Sequence, residues 1–170
     1  VAGTSDISFY NGAGAHTLQD TTSCKAPVLE PSDKYLLLYD EGGTSYAIYT
    51  TIACVRTGET ESAIQCADMS DIGIYALASH SRESKYVVTL YTPSFREIAR
   101  YYRDTYVTDV AVSRNGKQLA ILSVDSENSD LRGILTVCEI GTESTVDIQL
   151  GEQLPLAVSY LADGTLAVVS

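Results

Sequence analysis

The chain has 170 residues, a formal net charge of −11 and an apolar share of 45%. That length and apolar share suit one folded domain with a sizeable core, and they exclude a disordered chain. The negative charge would repel a phosphate backbone, which excludes nucleic-acid binding as a leading function, and no apolar run reaches the roughly 18 residues of a transmembrane helix.

The most regular stretch of the sequence is a predicted hairpin at residues 34–50. Two short apolar runs, 35–39 and 46–49, flank Asp-Glu-Gly-Gly at 40–43, where glycine can adopt the positive φ of a tight connection. The first run contains no polar residue, so both of its faces must be covered. This pattern predicts an inner strand that lies between stacked sheets.

Similar turns recur along the chain. Each of four apolar runs follows turn-forming residues, namely Asp33-Lys34, Asp71-Ile72-Gly73, Asn115-Gly116 and Asp163-Gly164. When Lys34 is aligned with the three turn glycines, successive turns are 39, 43 and 48 residues apart. Propeller blades repeat at roughly 40 to 50 residues, so the spacing indicates one blade per repeat.

The repeats predict an all-β, antiparallel, β-propeller-like domain of about four blades over residues 1–170. Its expected parts are a half repeat (1–25), three full repeats (26–66, 67–108 and 109–150) and a second half repeat (151–170). The first half supplies third and fourth strands, and the last half supplies first and second strands. The two halves would either complete one another in a small closed ring or belong to an arc of a larger ring, and an open arc could form a homodimer through its incomplete blades.

One segment has two interpretations. In residues 94–104, Phe95, Ile98, Ala99 and Tyr102 follow the i, i+3, i+4, i+7 spacing of an amphipathic helix. The repeat phase instead favours a fourth strand, which is the interpretation adopted.

The repeat phase also predicts the core. Six residues on the inner strands should be largely buried: Leu36, Leu38, Ala76, Leu119, Ala120 and Ile121.

The four cysteines are predicted to stay unpaired. Cys24 and Cys66 occupy the same phase of adjacent repeats, where the Cα separation should exceed the roughly 7 Å limit for a disulfide. There is no CxxC pair and no histidine at ligand spacing, which argues against a zinc site.

Three runs carry a resemblance to a known family: DKYLLLYDEGGTSYAIYT (33–50), KYVVTLYT (85–92) and RDTYVTDVAVSRNGKQLAILSVDSENSD (103–130). They resemble an uncharacterised family (a domain of unknown function) of anaerobic Firmicutes that is classed among the β-propellers, and the resemblance covers roughly residues 26–170. It implies an N-terminal membrane anchor, an extracytoplasmic location and a longer native propeller, of which this chain would be a fragment. The family turn carries a basic residue where this chain has Glu41. No activity is established for the family, so the resemblance implies no catalytic residue and no cofactor.

The expected function is a non-enzymatic, extracytoplasmic scaffold that binds a protein or another ligand. Most of the tyrosines in alternating strands are expected to pack between sheets. Tyr101, Tyr102 and Tyr106 lie among charged residues, and these three are therefore the candidate contact residues for a protein or glycan partner.

Two alternatives remain. An enzyme could place its site in the propeller channel, which clustering of Asp33, Asp71, Asn115 and Asp163 around one opening would favour. A calcium-dependent adhesion module could use the oxygen atoms of Asp125, Glu127 and Asp130, although this loop lacks the glycine and the closing bidentate glutamate of an EF-hand. A solvated acidic loop is the preferred interpretation of residues 125–130.

Overall fold

The computed structural model describes residues 2–126, 131–152 and 154–170. Within these ranges the chain forms sixteen strands and no helix with the length and hydropathy to cross a membrane. The strands are β1 (Asp6–Tyr10), β2 (His16–Thr21), β3 (Pro27–Pro31), β4 (Leu36–Asp40), β5 (Ser45–Tyr49), β6 (Cys54–Glu59), β7 (Ile64–Met69), β8 (Tyr75–His80), β9 (Tyr86–Tyr91), β10 (Glu97–Arg103), β11 (Tyr106–Val112), β12 (Gln118–Asp125), β13 (Arg132–Glu139), β14 (Thr145–Gly151), β15 (Ala157–Tyr160) and β16 (Leu166–Val169).

The strands form three complete antiparallel sheets of four and two incomplete pairs. We name them sheet 1 (β3–β6), sheet 2 (β7–β10), sheet 3 (β11–β14), the N-terminal pair (β1–β2) and the C-terminal pair (β15–β16). Each strand pairs with its neighbour in sequence, so every sheet is a meander. The first strand of each later sheet packs on the first two strands of the sheet before it: β7 contacts β3 and β4, β11 contacts β7 and β8, and β15 contacts β11 and β12. The first strands therefore lie innermost around a common axis.

The two ends of the chain form separate sheets. The N-terminal pair packs on sheet 1, where Ile7 contacts the cluster that contains Leu38 and Tyr49. The C-terminal pair packs on sheet 3, where Val158 and Tyr160 contact the cluster that contains Leu122. Within the described residues β1–β2 and β15–β16 do not join one sheet, so the chain forms an open arc and not a closed ring of four.

The core lies between the sheets. Five of the six predicted core residues, Leu38, Ala76, Leu119, Ala120 and Ile121, are at most 1% exposed, which confirms the prediction for them, and Leu36 is half-buried. The expected identity of the inner strand needs a correction. The second strand of each complete sheet is indeed covered on both faces, but the first strand is nearest the axis, because the main contacts between successive sheets all involve a first strand.

The segment with two interpretations is a strand. In β10, pairing with β9 runs from Glu97 opposite Tyr91 to Arg103 opposite Tyr86. The preceding turn contains Phe95 at φ 64°, and its N–H donates to the Thr92 carbonyl at 2.9 Å. The fourth-strand prediction is confirmed.

A serine stabilises the turn before the second strand in each complete sheet. Its hydroxyl oxygen accepts a backbone N–H from the far side of the turn, at 2.8 to 3.2 Å: Ser32 from Tyr35, Ser70 from Ile74, and Ser113 from Gln118. In the C-terminal pair the N–H of Thr165 instead donates to the carboxylate of Asp163 at 2.9 Å. This shared hydrogen bond explains why turn residues recur at blade spacing.

Sheet boundaries differ slightly from the expected repeat boundaries. Sheet 2 begins at Ile64, so position 66 falls inside its first strand. Ile64 is fixed there because its N–H donates to the carbonyl of Gly43, while its carbonyl accepts the N–H of Gly42. The sheets span 27–59, 64–103 and 106–151.

All four cysteines are free thiols, as predicted. Cys24, Cys66 and Cys138 are buried, and Cys54 is half-buried. Desolvation raises the pKa of Cys66 well above its ordinary value, and nearby carboxylates raise it further. Cys66 therefore behaves as a small apolar core residue.

Candidate functional site

An acidic cleft of about 410 Å³ lies where the first strands end, and we name it the axial cleft. It is lined by residues from three successive sheets and the C-terminal pair: Glu30, Pro31, Ser32, Asp33, Asp68, Met69, Asp71, Val112, Arg114, Ser159 and Tyr160. The cleft exists because the first strands are the elements nearest the axis. Its lining contains four carboxylates and one arginine.

Two carboxylates on first strands connect one sheet to the next. Asp68 accepts the N–H of Val112 at 2.6 Å, and Asp109 accepts the N–H of Val158 at 2.8 Å. Each bond joins the first strand of one sheet to the first strand of the following sheet. A carboxylate in such a strand must be hydrogen-bonded, so these two residues act as inter-sheet tethers.

Three carboxylates in or beside the cleft have raised pKa values. Desolvation, followed by the charges of Asp68 and Asp109, raises the pKa of Glu30 to about 7. Desolvation also raises the pKa of Asp68 to about 6, against the opposing effect of the hydrogen bond from Val112. Burial raises the pKa of Asp109 as well. An added cation would relieve this mutual repulsion, so the electrostatics of the cleft favour a positively charged ligand.

The rim of the cleft is formed by the turns. The N–H of Asp33 donates to a carboxylate oxygen of Asp71 at 3.2 Å, and the N–H of Asp71 donates to the carbonyl of Arg114 at 3.2 Å. Turns of three successive sheets are thus in direct contact.

The four turn residues of the enzyme alternative are only partly brought together. Asp33 and Asp71 line the cleft, whereas Asn115 and Asp163 are not among its lining residues. Asn115 accepts hydrogen bonds within its own turn, from Ser113 and Lys117, and Asp163 accepts one from Thr165. Asn115 and Asp163 therefore serve their own turns.

The three candidate contact tyrosines do not share one surface. Tyr101 is half-buried and packs into the core between sheets 2 and 3. Tyr102 is 44% exposed on the opposite face of β10, and Tyr106 is 49% exposed. The ammonium group of Lys85 lies 4.4 Å from the ring centroid of Tyr106. Their role in partner binding stays a prediction, with Tyr102 and Tyr106 the accessible members.

The candidate calcium loop lies largely outside the described residues. Asp125 ends β12 and is paired in register with Arg132, while Glu127 and Asp130 are not described. Among the residues that are described, there is no group of three histidine, cysteine or acidic side chains arranged to hold a metal ion.

The comparison with protein families gives a match over residues 2–170 to a group described as a family of unknown function, DUF5711. The chain belongs to this family. No curated protein matches the chain significantly.

Solved structures similar to this member of the family are β-propellers. Hydrazine synthase of Kuenenia stuttgartiensis has a TM-score of 0.68 at 16% identity, over 96% of this chain and 49% of that one. The putative TolB of Agrobacterium tumefaciens gives 0.59 at 18% identity, over 95% and 59%. The Cps50 (Swd1) β-propeller domain of Myceliophteria thermophila gives 0.56 at 16% identity, over 79% and 45%. The chain spans about half the length of these proteins, and the likeness establishes the propeller fold.

Two carboxylates of the cleft, Glu30 and Asp68, and the second tether, Asp109, were not predicted from the sequence. Each is an acidic residue inside a strand, in the runs VLEP, CADM and VTDVAV. An acidic residue in a strand that packs between sheets requires a hydrogen-bond donor. That signal could have identified the tethers, though not the donors, which lie 44 and 49 residues away.

Proposed function

We propose that the chain is a non-enzymatic, protein-binding scaffold whose axial cleft binds a basic segment of a partner. The observation that carries the proposal is the convergence of carboxylates from successive sheets on one cleft, where burial and neighbouring carboxylates raise the pKa values of Glu30 and Asp68.

The chemistry of the cleft supports a lysine or arginine side chain as the ligand. Glu30, Asp33, Asp68 and Asp71 are opposed by Arg114 alone in the lining. A guanidinium or ammonium group would pair with these carboxylates by charge-assisted hydrogen bonds. The net charge of −11 would also accelerate the approach of a basic partner at low ionic strength.

The test uses a fluorescent lysine-rich peptide and its fully acetylated counterpart. The double variant Asp33→Asn/Asp71→Asn removes two rim charges and leaves the tethers intact. Fluorescence anisotropy should show about tenfold weaker binding of the lysine peptide, corresponding to about 1.4 kcal/mol, and no binding of the acetylated peptide. The matched control, Glu139→Gln/Glu143→Gln, removes the same charge from exposed positions that do not line the cleft. If the control variant binds the lysine peptide as weakly as the double variant does, the effect comes from the overall negative charge of the chain. That result would overturn the proposal.

The family resemblance supports an extracytoplasmic, membrane-anchored location and an origin in anaerobic Firmicutes, both of which we retain as parts of the proposal. Labelling of intact cells with a membrane-impermeant amine reagent tests the location: protection from the reagent would contradict it.

A homodimer through the N-terminal and C-terminal pairs is a further part of the proposal. Its support is that both pairs lack half of a sheet and leave strand edges that can pair with another chain. Light scattering over a range of concentrations tests it, and a monomer at every concentration would exclude it.

A further inference from the structure

A groove of about 270 Å³ lies between the outer parts of sheets 1 and 2, and we name it the outer groove. It shares no lining residue with the axial cleft. Its walls come from β9, β10, the loop after β8 and the connection between β6 and β7. A ligand bound in the outer groove would therefore contact none of the residues that line the axial cleft.

Two tyrosines give the groove aromatic walls. The ring of Tyr91 stacks on Tyr75 at 4.9 Å between centroids and 14° between planes, and Tyr75 is fully buried. The core therefore fixes the orientation of the Tyr91 ring. Tyr102 also lines the groove and is 44% exposed. Rigid aromatic faces of this kind bind apolar ligand surfaces at little entropic cost.

Polar groups surround these rings. The guanidinium of Arg100 donates two hydrogen bonds of 2.9 Å to the carboxylate of Glu97. This bidentate contact holds the group in place and leaves further N–H groups to donate. Ser79 and Thr89, each 7% exposed, line the buried part of the groove. The groove therefore offers donors and hydroxyls that can both donate and accept.

The charge of the groove is mixed. Its lining contains two arginines, Arg82 and Arg100, and three glutamates, Glu59, Glu61 and Glu83. Strongly charged polymers of either sign would meet repulsion from part of this lining. A neutral ligand with an apolar face and many hydroxyl groups satisfies both the aromatic walls and the polar ones.

We propose that the outer groove binds a neutral carbohydrate, with the apolar face of a sugar ring stacked on Tyr102 and its hydroxyl groups bonded to Arg100 and Thr89. The volume of the groove accommodates one sugar ring of a longer chain. This site is distinct from the axial cleft in position, charge and ligand class.

The experiment is calorimetric titration with four neutral oligosaccharides, cellohexaose, xylohexaose, maltohexaose and chitohexaose, and with one acidic probe, oligogalacturonate. At least one neutral probe should bind the wild-type chain with a Kd below about 10 mM. Tyr102→Ala should weaken that binding about fivefold to tenfold through loss of the stacking face, and Tyr102→Phe, which keeps the face, should change it less than about twofold.

Tyr10→Ala is the matched control, because Tyr10 is likewise exposed, at 55%, and does not line the groove. It should bind as the wild type does, and thermal unfolding of each variant checks that the fold is retained. Three results would overturn the proposal: no binding of any neutral probe, binding of oligogalacturonate alone, or equal loss in Tyr10→Ala and Tyr102→Ala.

Discussion

Second and fourth strands of the same sheet differ sharply in their surroundings. In β12 every residue from Leu119 to Val124 is buried, whereas β14, in the same sheet, is exposed at all but Leu150. Both strands carry apolar side chains, including Ile121 at 0% exposure and Ile148 at 44%. The difference arises from position, because the second strand is covered by neighbouring sheets on both faces.

The difference in burial between second and fourth strands indicates which strands contribute most to the free energy of unfolding. Apolar residues contribute in proportion to the surface they remove from water, so equal side chains on the two strands should contribute very different amounts. Sequence hydrophobicity alone would rank them alike. Matched substitutions on second and fourth strands can therefore test the arrangement of the sheets directly.

The largest effect is expected at Leu38 in β4, which is 1% exposed. Leu38→Ala should lower the free energy of unfolding by about 2 to 5 kcal/mol, because it removes buried surface and leaves a cavity. Ile148→Ala on β14 should cost less than about 1 kcal/mol. Urea denaturation measures the loss of unfolding free energy in both variants. Equal losses would show that the position of the strand in the sheet does not determine its contribution to stability.

Glycine substitutions in the turns before β12 and β14 should also differ, with the larger loss of stability before β12. Gly116, in the turn before β12, has φ 66°, and an added Cβ would lie 2.7 Å from Ile72 and 2.9 Å from Ile74. Gly116→Ala should cost about 1 to 3 kcal/mol from backbone strain together with this overlap. Gly141, in the turn before β14, has φ 90° and open space around it, so Gly141→Ala should cost less. Thermal melts compare the two, and a larger loss at Gly141 would show that packing does not distinguish the turns.

The first strands add a smaller, pH-dependent effect. The folded pKa of Glu30 is about 7, against an ordinary value of 4.5, so the folded chain binds more protons than the unfolded chain between these values. The free energy of unfolding should therefore fall as pH rises from about 4.5 to 7. Because Glu30 is partly exposed, the change after solvent screening is on the order of 1 kcal/mol. Glu30→Gln should flatten this slope in urea titrations at several pH values while Glu143→Gln leaves it unchanged, and an unaltered slope in Glu30→Gln would assign the effect to other groups.

Much of the fold was predictable because its signals are local. The recurring turns and the all-apolar run at 35–39 indicated four-stranded repeats, and five of the six predicted core residues are buried. The repeat phase also favoured a strand over a helix at β10. Local patterns failed to identify the innermost strand, because that depends on contacts between sheets.

The candidate sites were less predictable for the same reason. Asp68 and Val112 are 44 residues apart, and no local pattern pairs them. Strand alternation places Tyr101 and Tyr102 on opposite faces, but which neighbouring sheet each residue meets depends on the order of the sheets.

The tethers have a consequence for the order in which the arc assembles. Each acceptor, Asp68 or Asp109, belongs to the earlier sheet, and each donor belongs to the first strand of the next. During synthesis from the N-terminus, a newly emerged first strand would meet a carboxylate already in place, before its own outer strands exist. Growth by addition of successive sheets follows from this order of synthesis, with each carboxylate holding the first strand of the next sheet.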